Sequence, residues 1–226
     1  MKMSTKKLIS LSALVMSLSF AGFTQAEEAP VEAETADANT VELIAGFNYE
    51  MVTPAQPTES GKKIEVVEVF WYGCPHCYHF EPEISNWIET LPDDVEFRRM
   101  PGIFQSGWVP HAKAFYAAEK LGILEQIHTP MFDAIHRDNI QIKTDEDVID
   151  FVTNIDGIDK AAFEKAFNSY TVKTKVKQAM KMSRAYGITG VPAVIINGKY
   201  WSSGSIAGSY PELLNVVDAL IEKERK

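Results

Sequence analysis

The chain has two cysteines, and they stand together as Cys74-Pro75-His76-Cys77. A paired thiol at this spacing can do four things. As a structural zinc site it would need a second pair of ligands, and His111, His128 and His136 do not fall at the usual three-to-five spacing. Covalent haem attachment needs a histidine directly after the second cysteine, where this chain has Tyr78. A static disulfide here closes a four-residue loop, which removes little entropy from the unfolded chain and so adds little stability. The fourth chemistry is thiol-disulfide exchange, which needs a thiolate near neutral pH.

The surrounding residues supply such a setting. Ile64 to Tyr72 is an almost unbroken run of β-branched and aromatic residues, the pattern of a strand covered on both faces by helices. After Gly73 the apolar residues Phe80, Ile84, Trp87, Ile88 and Leu91 recur at helical spacing. Strand, tight turn and helix therefore meet at the cysteines. Pro75 suits the first helical position, which puts Cys74 at the N-cap, while Pro82 should kink the helix further in. A thiolate at Cys74 gains from the positive end of the helix dipole, though that gives only about 0.3 to 1 kcal/mol. Lowering its pKa by two units takes about 2.7 kcal/mol. His76 is the natural additional donor. A stabilised thiolate favours the reduced form, so the disulfide form would be driven to oxidise other dithiols. On the preceding strand, period two puts Ile64, Val66, Glu68 and Phe70 on one face. An unpaired carboxylate there is costly, so Glu68 is either functional or at a sheet edge.

The remaining elements describe an α/β domain interrupted by helices. Phe47, Tyr49 and Met51 alternate as a first strand, and Val95 to Met100 reads as another, ending before Pro101. From Trp108 to about Tyr186 the pattern is helical, with stripes such as Ala112, Phe115, Tyr116 and Leu121, then Leu124, Ile127, Met131 and Ile135. Thr144 and Asp159 are helix caps, and Gly187 closes the last helix. Strand returns at Ala193 to Ile196, turns at Asn197-Gly198 and continues through Tyr200 and Trp201. Tyr210 to Glu224 is a final helix. The expected domains are a first one built from 41–107 and 187–226, with a helical insertion at 108–186.

Composition restricts the partners. A net charge of -9 over 226 residues excludes a general nucleic-acid binder, which needs a basic footprint. Lys2, Lys6 and Lys7 precede an apolar run to Phe23, and Thr24 and Ala26 suit cleavage before Glu27. Residues 1–26 thus read as a secretory signal peptide and 27–40, without Lys or Arg, as a disordered acidic leader. Removing the three lysines takes the net charge from -9 to -12. Export implies an oxidising compartment.

Taken together, Cys74-Pro75-His76-Cys77-Tyr78, Gly190-Val191-Pro192-Ala193 and Asn197-Gly198-Lys199-Tyr200 resemble the DsbA family of bacterial periplasmic thiol:disulfide oxidoreductases. The likeness covers roughly residues 41 to 226, including a helical domain inserted into a thioredoxin fold. By position it implies that Cys74 is the exposed nucleophile and Cys77 the buried resolving cysteine. It makes Val191 and cis-Pro192 the loop that faces them and binds substrate, with Glu68 as the buried acid. It further implies a periplasmic enzyme that oxidises newly exported proteins, needs no cofactor beyond the Cys74-Cys77 disulfide and no metal, and is restored by a quinone-linked, DsbB-like inner-membrane oxidase. No dimerisation domain precedes the fold, so a monomer is expected. An isomerase or reductase shares this chemistry, and a redox-independent peptide-binding holdase is the alternative from another class. Arg98 to Trp108 and Ser202 to Ser205 match no family pattern. His79, His111, His128 and His136 have no motif partner and read as surface or satisfied core residues. Tyr72, Trp87, Trp108 and Trp201 read as core aromatics, with Trp108 placed to rim a groove, and Lys173, Lys175, Lys177 and Lys181 as a solvated helix face.

Overall fold

The computed structural model describes residues 41–226, so the expected signal peptide and acidic leader lie outside the described residues. The organising element is β2 (Ile64–Phe70), all seven residues of which are buried. It lies inside a five-stranded sheet of order β1-β5-β4-β2-β3, completed by β1 (Glu50–Met51), β3 (Val95–Pro101), β4 (Ala193–Ile196) and β5 (Tyr200–Ser202). β2 runs parallel to β3 and antiparallel to β4. Glu68 is therefore in an interior strand, and the edge placement is excluded.

The first strand is shorter than the alternation of Phe47, Tyr49 and Met51 suggests. Only Glu50 and Met51 pair, with Trp201 and Tyr200 of β5. Phe47 is 72% exposed, because the chain turns at Gly46, whose φ of 79° is open to glycine. The Asn48 side chain fixes that turn by accepting from the Ile44 N–H at 2.9 Å. A turn held by a side chain overrode the period-two signal.

Helix α1 (Pro75–Ile88) starts as expected, with Cys74 at the N-cap and proline in its first turn. Leu91 lies beyond its end. Ile84 and Phe80 pack with Val66, Val194 and Ile196 of the sheet and with Leu213, Val217 and Ile221 of α8 (Tyr210–Arg225). A short 3-10 turn, Ser106–Trp108, leads into the helical segment: α2 (Val109–Leu121), α3 (Leu124–His136), α4 (Asp145–Thr153), α5 (Lys160–Phe167) and α6 (Tyr170–Ala185). Thr144 and Asp147 form a reciprocal capping box, and Asp159 accepts from the Ala162 N–H. The inner residue run of α2, His111 to Ala118, is buried throughout. Phe70 at the end of β2 joins that core, its ring centroid 5.4 Å from Phe115 and 5.9 Å from Phe132. The strand that leads to the cysteines is thus anchored in both cores. One turn, α7 (Gly204–Ala207), precedes α8.

Candidate active site

The sequence around Cys74 leaves its side chain at a helix start with no capping role of its own. Its backbone is extended, at φ -93° and ψ 115°, and the side chain makes no cap hydrogen bond. The thiol is consequently free to act, and both cysteines are free thiols. Cys77 is one turn further in and fully buried. Cys74 corrects the expectation of an exposed nucleophile: it is 7% exposed, and its Sγ donates to the carbonyl oxygen of Val191 at 3.4 Å.

The two thiols are pushed in opposite directions. The Cys77 thiol hydrogen-bonded to Cys74 lowers the Cys74 pKa from 9.0 to about 6, helped by the backbone N–H groups of Cys77 and His76 and by the His76 charge, against the opposing effect of burial. Burial drives Cys77 far up, reinforced by the Cys74 thiol and by the charges of Cys74 and Glu68. One thiol is poised as a thiolate and the other held protonated.

Val191, joined to Pro192 by a cis peptide, faces Cys74 with its carbonyl, and Gly102 gives it room; a Cβ there would sit 2.9 Å from Val191 Cγ1. Pro192 is buried while Val191 stays partly exposed. A groove of about 700 Å³ runs past them, lined by His76, Val191, Pro192, Trp201, Tyr210 and Pro211 among others. Ser203, Gly204 and Ser205 also line it, which gives the unplaced 202–205 segment a location. Trp201 is half-buried on the groove rather than in the core. On the groove wall the Tyr210 hydroxyl donates to the His76 carbonyl at 2.9 Å.

Glu68 is fully buried, and desolvation raises its pKa from 4.5 to about 7, with Arg99 pulling down and Glu81 pushing up. Arg99 is its cross-strand neighbour on β3 and donates Nε–H to Glu68 Oε2 at 3.0 Å and Nη2–H to Glu81 Oε1 at 2.6 Å. These partners were missed, although two successive arginines in an expected strand beside two strand glutamates are a usable signal. Next to it, Arg98 holds the equally buried Glu65 at 2.9 and 3.3 Å. The 98–108 segment also supplies Trp108, half-buried and stacked on Trp71 with centroids 4.1 Å apart.

The family described as the DSBA-like thioredoxin domain matches residues 65–209. The chain belongs to the DsbA-like thioredoxin family. The thiol:disulfide interchange protein DsbA of Azotobacter vinelandii is 45% identical over 180 residues, covering 80% of this chain and 84% of that protein. The crystal structure of Pseudomonas aeruginosa DsbA superposes with a TM-score of 0.77 at 42% identity, covering 81% of this chain and 95% of that one. DsbA from Xylella fastidiosa gives a TM-score of 0.75 at 30% identity, covering 81% and 98%. The fold is accordingly a thioredoxin fold with a helical insertion, and the chain is a thiol:disulfide oxidoreductase.

The histidines without a motif divide in the structure. His111 Nε2–H donates to the Ile142 carbonyl at 2.7 Å and His136 Nε2–H to that of Tyr72 at 2.7 Å. His128 reaches Tyr72 and Glu81, and His79 is exposed. The four lysines of α6 are exposed, as a solvated face requires.

Proposed function

We propose that the protein donates its Cys74-Cys77 disulfide to reduced proteins exported to the periplasm. A client thiolate attacks Cys74 Sγ, forming the client-Cys74 bond and breaking the Cys74-Cys77 bond. The electron pair goes to Cys77 Sγ, which is too buried to remain an anion and takes a proton, with Glu68 as its donor. The client's second thiolate then attacks its own mixed-disulfide sulfur and releases Cys74 as the thiolate. The observation that carries this reading is the opposed poise of the two thiols, Cys74 down to about 6 and Cys77 pushed far up. A stabilised Cys74 thiolate favours the reduced enzyme and so sets the direction as oxidation of the client.

Val191 and Pro192 bind the client backbone in this reading. The Val191 carbonyl, which takes the Cys74 S–H in the reduced protein, is open in the disulfide form and accepts a client N–H, adding an extended segment beside the Cys74 sulfur. His76 and Pro75 hold the Cys74 turn. Regeneration falls to a quinone-linked inner-membrane oxidase of the DsbB kind, and the enzyme acts as a monomer without metal or other cofactor. Oxidation of a reduced client by the wild type and by Cys74→Ser/Cys77→Ser tests this: stoichiometric disulfide transfer by the wild type alone is expected. Equal effects of the two proteins on client folding, without transfer, would identify a holdase.

A further inference from the structure

We infer that Tyr72 and His128 are positioning residues that keep the single proton shared by the buried Glu68 and the partly buried Glu81 on Glu68. This deepens the proposed reaction and rests on Glu68 as the proton donor to Cys77.

The charges in the buried cluster are two carboxylates and one guanidinium, Arg99. An excess negative charge at the fully buried Glu68, beside a second carboxylate and one guanidinium, is costly, so the pair holds one proton. The donors decide which carboxyl carries it. Glu81 Oε1 accepts from Arg99 at 2.6 Å and from Ser85 Oγ at 3.0 Å, and its Oε2 faces His128 Nε2 at 3.3 Å. Glu68 accepts from Arg99 alone; its Oε1, like Glu81 Oε2, has no hydrogen-bond partner among the described residues, so Glu81 holds two donors against one. The better-served carboxyl is the anion. Glu81 is held below its ordinary range by His128 and Arg99 in spite of burial, whereas Glu68 is raised.

His128 acts through its tautomer. The buried Tyr72 hydroxyl lies 2.8 Å from His128 Nδ1. If Nδ1 carried the hydrogen, the tyrosine proton would have no acceptor and the Nε2 lone pair would face a carboxylate. With Tyr72 donating to Nδ1, the tyrosine proton has an acceptor and the hydrogen on Nε2 lies on the side of Glu81 Oε2, 3.3 Å away. The Nε2 contact is bent and long, so it acts as an oriented dipole. The ring is otherwise enclosed by Phe70, Phe115 and Phe132. The charged groups acting on it are Glu81 on α1, Arg99 on β3 and Glu125 on its own helix. In this apolar cage it is held neutral, burial lowering its pKa.

The test is a pH titration of ¹³C-carboxyl-labelled glutamates by NMR in the reduced protein, with Glu68 and Glu81 assigned from Glu68→Gln and Glu81→Gln. His128→Leu should lower the Glu68 midpoint by about one pH unit and raise that of Glu81, since the proton moves from one to the other. His128→Gln, whose amide can still donate to Glu81, should restore much of the separation. Tyr72→Phe keeps the aromatic packing and frees the tautomer, so it should shift the midpoints in the same directions by less; it also decides the matter if His128→Leu does not fold. A Glu68 midpoint one unit lower leaves about a fifth as much protonated Glu68 at pH 7, so attack by a client thiolate should slow about fivefold. Midpoints that both fall, as admitted water would cause, or that both stay in place in Tyr72→Phe, overturn the inference. Separately, an unchanged attack rate in Glu68→Gln would refute Glu68 as the proton donor, while the titration would still decide what Tyr72 and His128 do.

Discussion

Cys74 Sγ and the Val191 carbonyl oxygen meet at 3.4 Å across 117 positions of chain. In the reduced protein the Cys74 thiol thus occupies the oxygen proposed to receive a client N–H, and in the disulfide form, which has no S–H, that oxygen is left to the client. Because Cys74 is pulled down to about 6 while Cys77 is driven far up, alkylation of the reduced protein should follow a single titration near pH 6. At pH 5 Cys74 should react at least about a hundredfold faster than Cys77. Mass spectrometry of the alkylated peptides measures this directly, and equal labelling would remove the assignment of roles.

Glu68 should make the reduced protein less stable as pH rises. Its native pKa of about 7 is above the ordinary 4.5, so between those values the native state binds more protons than the unfolded chain. Stability then falls with increasing pH in that window, by at most about 1.4 kcal/mol per unit. Glu68→Gln abolishes the titration. Urea unfolding at pH 5 and pH 7.5 should show wild type losing ground to the variant at the higher pH. Parallel behaviour of the two proteins would show that Glu68 does not hold the buried proton.

Gly73 is needed for space rather than for its φ. A Cβ at this position would overlap the Trp71 indole at Cζ2, and Trp71 is itself held by the parallel ring of Trp108 at 4.1 Å. Gly73→Ala must displace the indole or the turn that carries Cys74. The expected cost is about 1 to 3 kcal/mol, with an altered tryptophan emission. An unchanged unfolding midpoint would mean that the Trp71 ring moves aside freely.

What could be read from the sequence was local. Pro75 after Cys74, the caps Thr144 and Asp159, and the Asn197-Gly198 turn each act within a few positions, and each is where the pattern put it. The relation of Cys74 to Val191 came from the family resemblance, since nothing local links positions 74 and 191. The contacts that went unread join distant elements: Tyr72 to His128 across 56 positions and Glu68 to Arg99 across 31. A lone histidine in an apolar helix has no pattern that tells a satisfied core residue from a member of a buried network. The exposure of Cys74 was overestimated for a related reason. Its position at a helix start is local, but the cover over it comes from the 191 loop.

Pro192 offers the sharpest test of the proposal that its loop binds the client. It is buried on the groove beside Val191, whose carbonyl accepts from Cys74, and it brings no N–H to that place. A client strand paired with Val191 therefore meets acceptors and apolar surface near the sulfurs, with no competing backbone donor. Pro192→Thr adds both an N–H and a hydroxyl there. Either can hydrogen-bond the bound client and hold it after the first exchange, so the second client thiolate reaches the mixed disulfide more slowly. The variant should fold, retain the acidic Cys74 seen by alkylation, and accumulate Cys74-linked adducts. On non-reducing gels of periplasmic extracts, those adducts should form a ladder that collapses on reduction and is absent from Pro192→Thr/Cys74→Ser. Client oxidation at the wild-type rate with no adducts would show that Pro192 has no part in releasing the client.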